Sequence, residues 1–163
     1  ITRIVSYKPI LEWIKPIMRA MKKNKDLIYI IGGFSDSNYS RTVKDKVLSS
    51  DVADQFILLN LLESSEMNAL FNCADFGVWF GATSSIQQSM GTGLPTIIPK
   101  NRTLDHLVEP EVNGMYYDTE EDLYKKLISL DKNYDKRSIY EYNKKFSYKS
   151  ILEKIINNVD GKR

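Results

Sequence analysis

The chain has 163 residues, 27% of them charged, and a formal net charge of +2. It is long enough for one domain with a full hydrophobic core, and too evenly charged for electrostatics to argue for nucleic-acid binding. A single Cys excludes an internal disulfide framework and fits a reducing compartment, and one Cys with one His does not make a dedicated zinc site.

Residues 1–5 read as a strand with no lead-in. Domains rarely begin inside a core strand, so further chain is expected before Ile1. A helix follows, with Ile10, Ile14, Ile17, Met18 and Met21 at helical spacing. Pro16 is expected in its first turn or at a kink. Residues 26–33, DLIYIIGG, read as a short buried strand stopped by Gly32 and Gly33, and residues 41–48 as a weaker helix. QFILLNLL, residues 55–62, is a third strand. SSEMNALFNCA, residues 64–74, carries Ser-x-Glu start chemistry and an apolar face of Met67, Leu70 and Phe71, hence a helix that is expected to bury Cys73.

FGVWF, residues 76–80, predicts a fourth strand and PTIIP, residues 95–99, a fifth. Between them WFGATSSIQQSMGTGLPT reads as strand end, tight loop and short helix. Residues 105–108 suggest one helical turn, and NGMYY a short sixth strand. Residues 119–130 form an amphipathic pattern capped by Thr119, with Glu120 and Glu121 in the first turn. Residues 135–145 and 148–159 read as two closing helices. No internal repeat or low-complexity linker interrupts the chain, and no apolar run or signal peptide marks a membrane segment.

Apolar strands alternating with helices predict a three-layer α/β/α, Rossmann-like domain over residues 1–163, with a mostly parallel sheet of about six strands. In that architecture ligands bind beyond the carboxyl ends of the strands. Thr83, Ser84 and Ser85 stand at such a position, after Gly81 and Ala82, where backbone can approach a ligand. A helix start offers unpaired N–H groups to an anion, but Ser and Thr are also ordinary caps. Arg3 and Lys8 flank the end of the first strand and either clamp a diphosphate or stand as solvated surface cations. Gln88, about one turn past Ser84, either meets a sugar hydroxyl or lies on an exposed helix face. Gly91-Thr92-Gly93 is not a dinucleotide fingerprint, because Pro95 and a strand follow. His106 reads as structural.

Taken in order, these segments resemble the C-terminal, nucleotide-sugar-binding half of a GT-B glycosyltransferase of the retaining "glycosyl transferases group 1" (family 4) kind, over nearly the whole chain. TRIVSYKP resembles the Gly-Arg-x-x-x-x-Lys-Gly opening, with Arg3 and Lys8 in register. FILLNLLESSEMNALFNCADFGVWF resembles the family's strand, "eeL..ly..aD" helix and next strand. QQSMGTGLPTIIP resembles "lEAMa.GlPVi.", and LVEPEVNGMYYDTEEDLYKKL its closing segment and helix.

The resemblance implies that Arg3, Lys8, Ala82, Thr83, Ser84 and Ser85 hold the donor diphosphate. It places Gln88 at the ribose, and Leu58, Leu59, Asn60 and Leu62 beside the base. It assigns no catalytic residue, metal or cofactor. It implies a nucleoside-diphosphate-sugar donor, no nucleic acid, and an acceptor bound by an N-terminal domain outside this chain, so that the isolated domain is inactive. A cytoplasmic site at the inner face of the membrane, peripheral membrane contact of the full-length protein, and a role in bacterial cell-surface polysaccharide or glycolipid synthesis are further implications. Departures accompany the match. Phe80 stands at the first Glu of the family's Glu-x7-Glu motif and Gln88 at the second, while Thr2 and Pro9 replace glycines. Two alternatives stay open: a nucleotide-sugar epimerase of the same architecture, and a degenerate, non-catalytic nucleotide-binding module.

Overall fold

A computed structural model describes residues 4–130 and 133–160 of the chain. Among them are seven α-helices and five strands. The order is α1 (Ile10–Lys23), β1 (Tyr29–Phe34), α2 (Asn38–Leu48), β2 (Phe56–Asn60), α3 (Ser64–Cys73), β3 (Gly77–Val78), α4 (Ser84–Met90), β4 (Thr96–Pro99), β5 (Gly114–Tyr117), α5 (Glu120–Ile128), α6 (Lys136–Asn143) and α7 (Tyr148–Asp160).

All strand pairs are parallel. β1 pairs with β2 from Tyr29 opposite Phe56 to Phe34 opposite Asn60, with an irregularity at Gly33. β4 lies between β3 and β5. The parallel α/β architecture is the expected one, but the described strands form a two-stranded and a three-stranded sheet instead of one sheet of about six. Of the strand expected at 1–5, residues 1–3 lie outside the described residues. Ile4 donates its N–H to the Gly33 carbonyl (3.2 Å), yet neither Ile4 nor Val5 is a strand residue. The Val5 carbonyl instead accepts from Lys8 N–H (3.0 Å), closing a turn into α1.

Alternation along the strands sorts the core into two layers. On β4, Ile97 packs with Ile14, Ile17 and Met21 of α1 and Leu123 and Leu127 of α5. Its neighbour Ile98 packs with Phe71 of α3 and Ile86 and Met90 of α4. Trp79 belongs to the second layer, whereas Val78 and Phe80 on either side of it pack against the first. The polar faces of α1 and α5 meet outside the core, where Arg19 pairs with Glu121 (2.9 Å) and lies over the Tyr124 ring.

Local chemistry explains most boundaries. Ser37 accepts from Ser40 N–H, Thr119 from Asp122 N–H, and Asp135 from the N–H groups of Arg137 and Ser138, so three helices begin on a side-chain cap. At α3 the Glu66 carboxylate accepts from Glu63 N–H (2.8 Å). Four expectations are corrected. Pro16 sits in the interior of α1, because the helix starts at Ile10; it is buried, and the helix continues through it at the loss of one N–H donor. Gly32 and Gly33 do not stop β1, which runs to Phe34; Gly33 takes φ 111° and absorbs the register irregularity. Residues 105–108 form hydrogen-bonded turns and no helix. Cys73 is exposed, since only Phe71 of α3 is buried and a residue two further on faces away from it.

Gly93 has φ +78°, and a Cβ there would run into the backbone carbonyl of Lys136 at the start of α6. Gly93→Ala is expected to cost about 2 kcal/mol or more, from the left-handed backbone and the clash together. Urea denaturation with an unchanged m-value checks this; a loss below ~0.5 kcal/mol would show that α6 moves aside freely.

Candidate functional site

The stretch of β1 from Tyr29 to Gly32, the turn before α1, and the run from β3 into the loop before α4 line a cavity of about 290 Å³. Its lining joins Tyr7, Lys8 and Pro9 to Ile31 and Gly32 of β1, and to the run from Val78 to Thr83. A second depression of about 250 Å³ lies between α3 and α4, lined by Ser64, Met67, Asn68, Phe71 and Gln88.

The wall between β3 and α4 is pinned through Trp79. Its backbone N–H donates to Ile97 (3.0 Å) and its carbonyl accepts from the Tyr117 hydroxyl (2.8 Å). Its indole Nε1 donates to Ser85 Oγ (3.0 Å). Phe80 stacks on Trp13 at 6.3 Å with 10° between the rings, and Trp13 meets Tyr117 edge-on at 4.9 Å. These contacts hold the turn into α4 against both core layers.

Thr83 is the N-cap residue of α4, but its side chain makes no capping hydrogen bond; the hydroxyl lies 3.3 Å from Ser85 Oγ. The first-turn N–H groups of α4 therefore lack the side-chain cap that Ser37, Thr119 and Asp135 provide to their helices.

Lys8 is held by its backbone. Its N–H donates to Val5, and its carbonyl accepts from Ile10 N–H (2.8 Å) and from the Tyr39 hydroxyl of α2 (2.8 Å). Partial burial lowers the pKa of its ammonium from the ordinary value near 10.5. Burial likewise raises the phenols of Tyr29 and Tyr117. Both stay neutral.

Of the residues expected at the diphosphate, the structure brings Lys8, Ala82 and Thr83 together around one cavity, with Ser84 next in the chain. Arg3 lies outside the described residues. The Ser85 side chain does not face a ligand: the residue is 5% exposed and its hydroxyl holds Trp79. Its part in a phosphate site is limited to the backbone. Gln88 is exposed and lines the second depression, not the first. Leu58, Leu59, Asn60 and Leu62 lie along β2 and just beyond its carboxyl end, ahead of α3, and are not among the described lining of either depression. His106 is exposed and packs edge-on to Phe146 at 6.3 Å.

Tyr7, Ser64, Met67 and Asn68 were not expected at the site. Tyr7 adjoins Lys8 in the chain, which was the available signal; nothing in the sequence marks the other three. Among the described residues, no three His, Cys, Asp or Glu side chains converge as metal ligands, and no helix is long and apolar enough to cross a membrane.

Ser85→Ala would strand the buried Trp79 indole N–H and is expected to cost about 1–3 kcal/mol. Ser84→Ala, at an exposed position, should stay within ~0.5 kcal/mol. Chemical denaturation separates the two; equal losses would remove the structural role of Ser85.

No protein-family model matches the chain. A curated relative, the alpha-monoglucosyldiacylglycerol synthase of Acholeplasma laidlawii, is 24% identical over 162 residues, 95% of this chain and 39% of that protein. The chain thus spans well under half of that relative. The crystal structure of TarM superposes with a TM-score of 0.75 at 18% identity, over 96% of this chain and 33% of TarM. The pneumococcal O-GlcNAc transferase GtfA, crystallised with UDP and GlcNAc, superposes with a TM-score of 0.77 at 17% identity, over 98% of this chain and 34% of GtfA. In fold, this chain matches one domain of the GT-B glycosyltransferases TarM and GtfA.

Proposed function

We propose that the chain is the C-terminal, donor-binding domain of a glycosyltransferase that moves a sugar from a nucleoside diphosphate to an acceptor hydroxyl with retention of configuration. The carrying observation is the cavity that sets Lys8 against the Gly81, Ala82 and Thr83 backbone, past the carboxyl end of β3. A cation facing a loop of small residues, where backbone can approach a ligand closely, suits a diphosphate. TarM and GtfA have each been crystallised with UDP, which makes a uridine nucleotide the first to test.

In this reading the diphosphate lies across Thr83 and Ser84. The ribose meets Gln88 beside Ser64, Met67 and Asn68, with the base toward Leu58, Leu59, Asn60 and Leu62. The sugar occupies the cavity by Phe80, and Arg3 joins Lys8 at the phosphates. Catalysis by this half is positioning and stabilisation of the departing diphosphate. The acceptor site belongs to an N-terminal domain, whose closure excludes water; this chain alone binds donor and does not turn over. The A. laidlawii relative is named for a glycolipid product, which supports the assignment to bacterial glycolipid or cell-surface polysaccharide synthesis at the inner face of the membrane.

Calorimetry of the chain with UDP, GDP, ADP and CMP tests this. Lys8→Ala is expected to weaken UDP binding by roughly 1.5–3 kcal/mol, about 10- to 150-fold. No binding of any nucleotide, or no effect of Lys8→Ala, sinks the assignment.

The Lys8 shift sets the sign of the pH dependence. Its folded pKa lies below the unfolded value near 10.5, so the unliganded fold gains stability as pH rises between the two. Diphosphate binding needs the charged ammonium, so UDP affinity should fall as pH rises through that same window. Lys8→Arg should keep its affinity to higher pH than the wild type, and matching profiles would exclude Lys8 as the titrating contact.

A further inference from the structure

We infer that the gap between β1 and β3 is the seat of a further parallel strand, formed by residues 1–3 running into Ile4, and that this strand joins the two described sheets into one. Its seat follows from backbone geometry and stands apart from the donor-binding reading.

β1 and β3 are both edge strands, each parallel to its described partner. Both lie under α1: Ile31 and Leu58 of the two-stranded sheet and Val78 and Ile97 of the three-stranded sheet belong to the same core layer. One cavity is lined by Tyr29 to Gly32 of β1 and by Val78 to Phe80 of β3 and the residues after it. On β3 the N–H groups of Gly77 and Trp79 donate to Pro95 and Ile97 (both 3.0 Å), so the alternate peptide groups of Val78 point away from β4. Gly33 is skipped in the pairing of β1 with β2, and its carbonyl accepts from Ile4 N–H instead (3.2 Å). Ile4 is 1% exposed and packs with Phe34 of β1 in a cluster that Phe80 adjoins. At Ile4 the chain therefore already stands between the two edges.

Direction and length follow from this anchor. After Ile4 the chain turns into α1, which runs back to the start of β1, so the residues before Ile4 come from the other end of the gap, parallel to β1. At about 3.3 Å per residue, residues 1–3 span ~10 Å, alongside Gly32 to Ile30. Strand, α1 and β1 then make one βαβ unit within a parallel sheet of six strands. Filling the gap buries apolar side chains and gives both edges a ladder. The Lys8 and Gly81–Thr83 end of the cavity stays open. There α1 and α4 leave neighbouring strands for opposite core layers, which makes that end the crevice at a switch in strand order, where open parallel sheets take ligands.

Amide hydrogen exchange of the chain, read by NMR without nucleotide, tests the strand independently of whether UDP binds. Val78 N–H is expected to exchange about tenfold or more slowly in the wild type than in a variant lacking residues 1–3, with the β5 amide of Met115 unchanged. Thr2, two residues before Ile4, turns its N–H to the same edge of β1. Thr2→Pro removes that donor and should lose the protection, whereas Thr2→Val should keep it. If the deletion does not fold, the two Thr2 variants decide. Exchange at Val78 that neither Thr2→Pro nor the deletion changes overturns the inference. So does protection that rises with protein concentration, which would put a strand of a second copy in the gap.

Discussion

Trp79 is the residue on which the site's geometry depends. A two-residue strand such as β3 fixes little by itself, and the loop that follows carries the small residues of the cavity. The indole resolves this by bonding forward to Ser85 of α4, while its backbone is tied to β4 through Ile97 and to β5 through the Tyr117 hydroxyl. One side chain and its peptide groups thus join three strands and a helix across the two core layers. The Gly81–Thr83 loop is thereby anchored on both sides, by Trp79 before it and Ser85 after it.

The same economy is visible in how hydroxyls are used. Thr83, Ser84 and Ser85 are one run in sequence with three different surroundings. Ser85 is inside, as the acceptor for Trp79; Thr83 is half-buried against Ser85; Ser84 is exposed. The α4 terminus is left uncapped because the two side chains best placed to cap it are turned toward the core. Elsewhere Ser37, Thr119 and Asp135 do cap their helices.

Lys8 shows the complementary logic. The turn from Val5 to Lys8 and the Tyr39 hydroxyl fix its backbone, while its ammonium is partly withdrawn from water. Phe80, across the same cavity, stacks on Trp13.

Much of the fold was legible because parallel strands buried on both faces read as unbroken apolar runs and the helices carry their own start signals. The cap at Thr119, the seam from Ile10 to Met21 and the strand at 114–117 needed no more than that. Local chemistry also marked Lys8 and Gly81–Thr83, since cations and small residues past strand ends are visible in one dimension. Whether Pro16 would sit in a helix interior or Cys73 face solvent was decided by which neighbours each residue met. The same is true of Ser85 serving Trp79, and of Gln88 lining a depression with Ser64 and Asn68. Propensity is a property of a segment, but burial, hydrogen-bond partners and the division of residues between two cavities depend on elements far apart in the chain, and those distances close only when the sheets and helices pack.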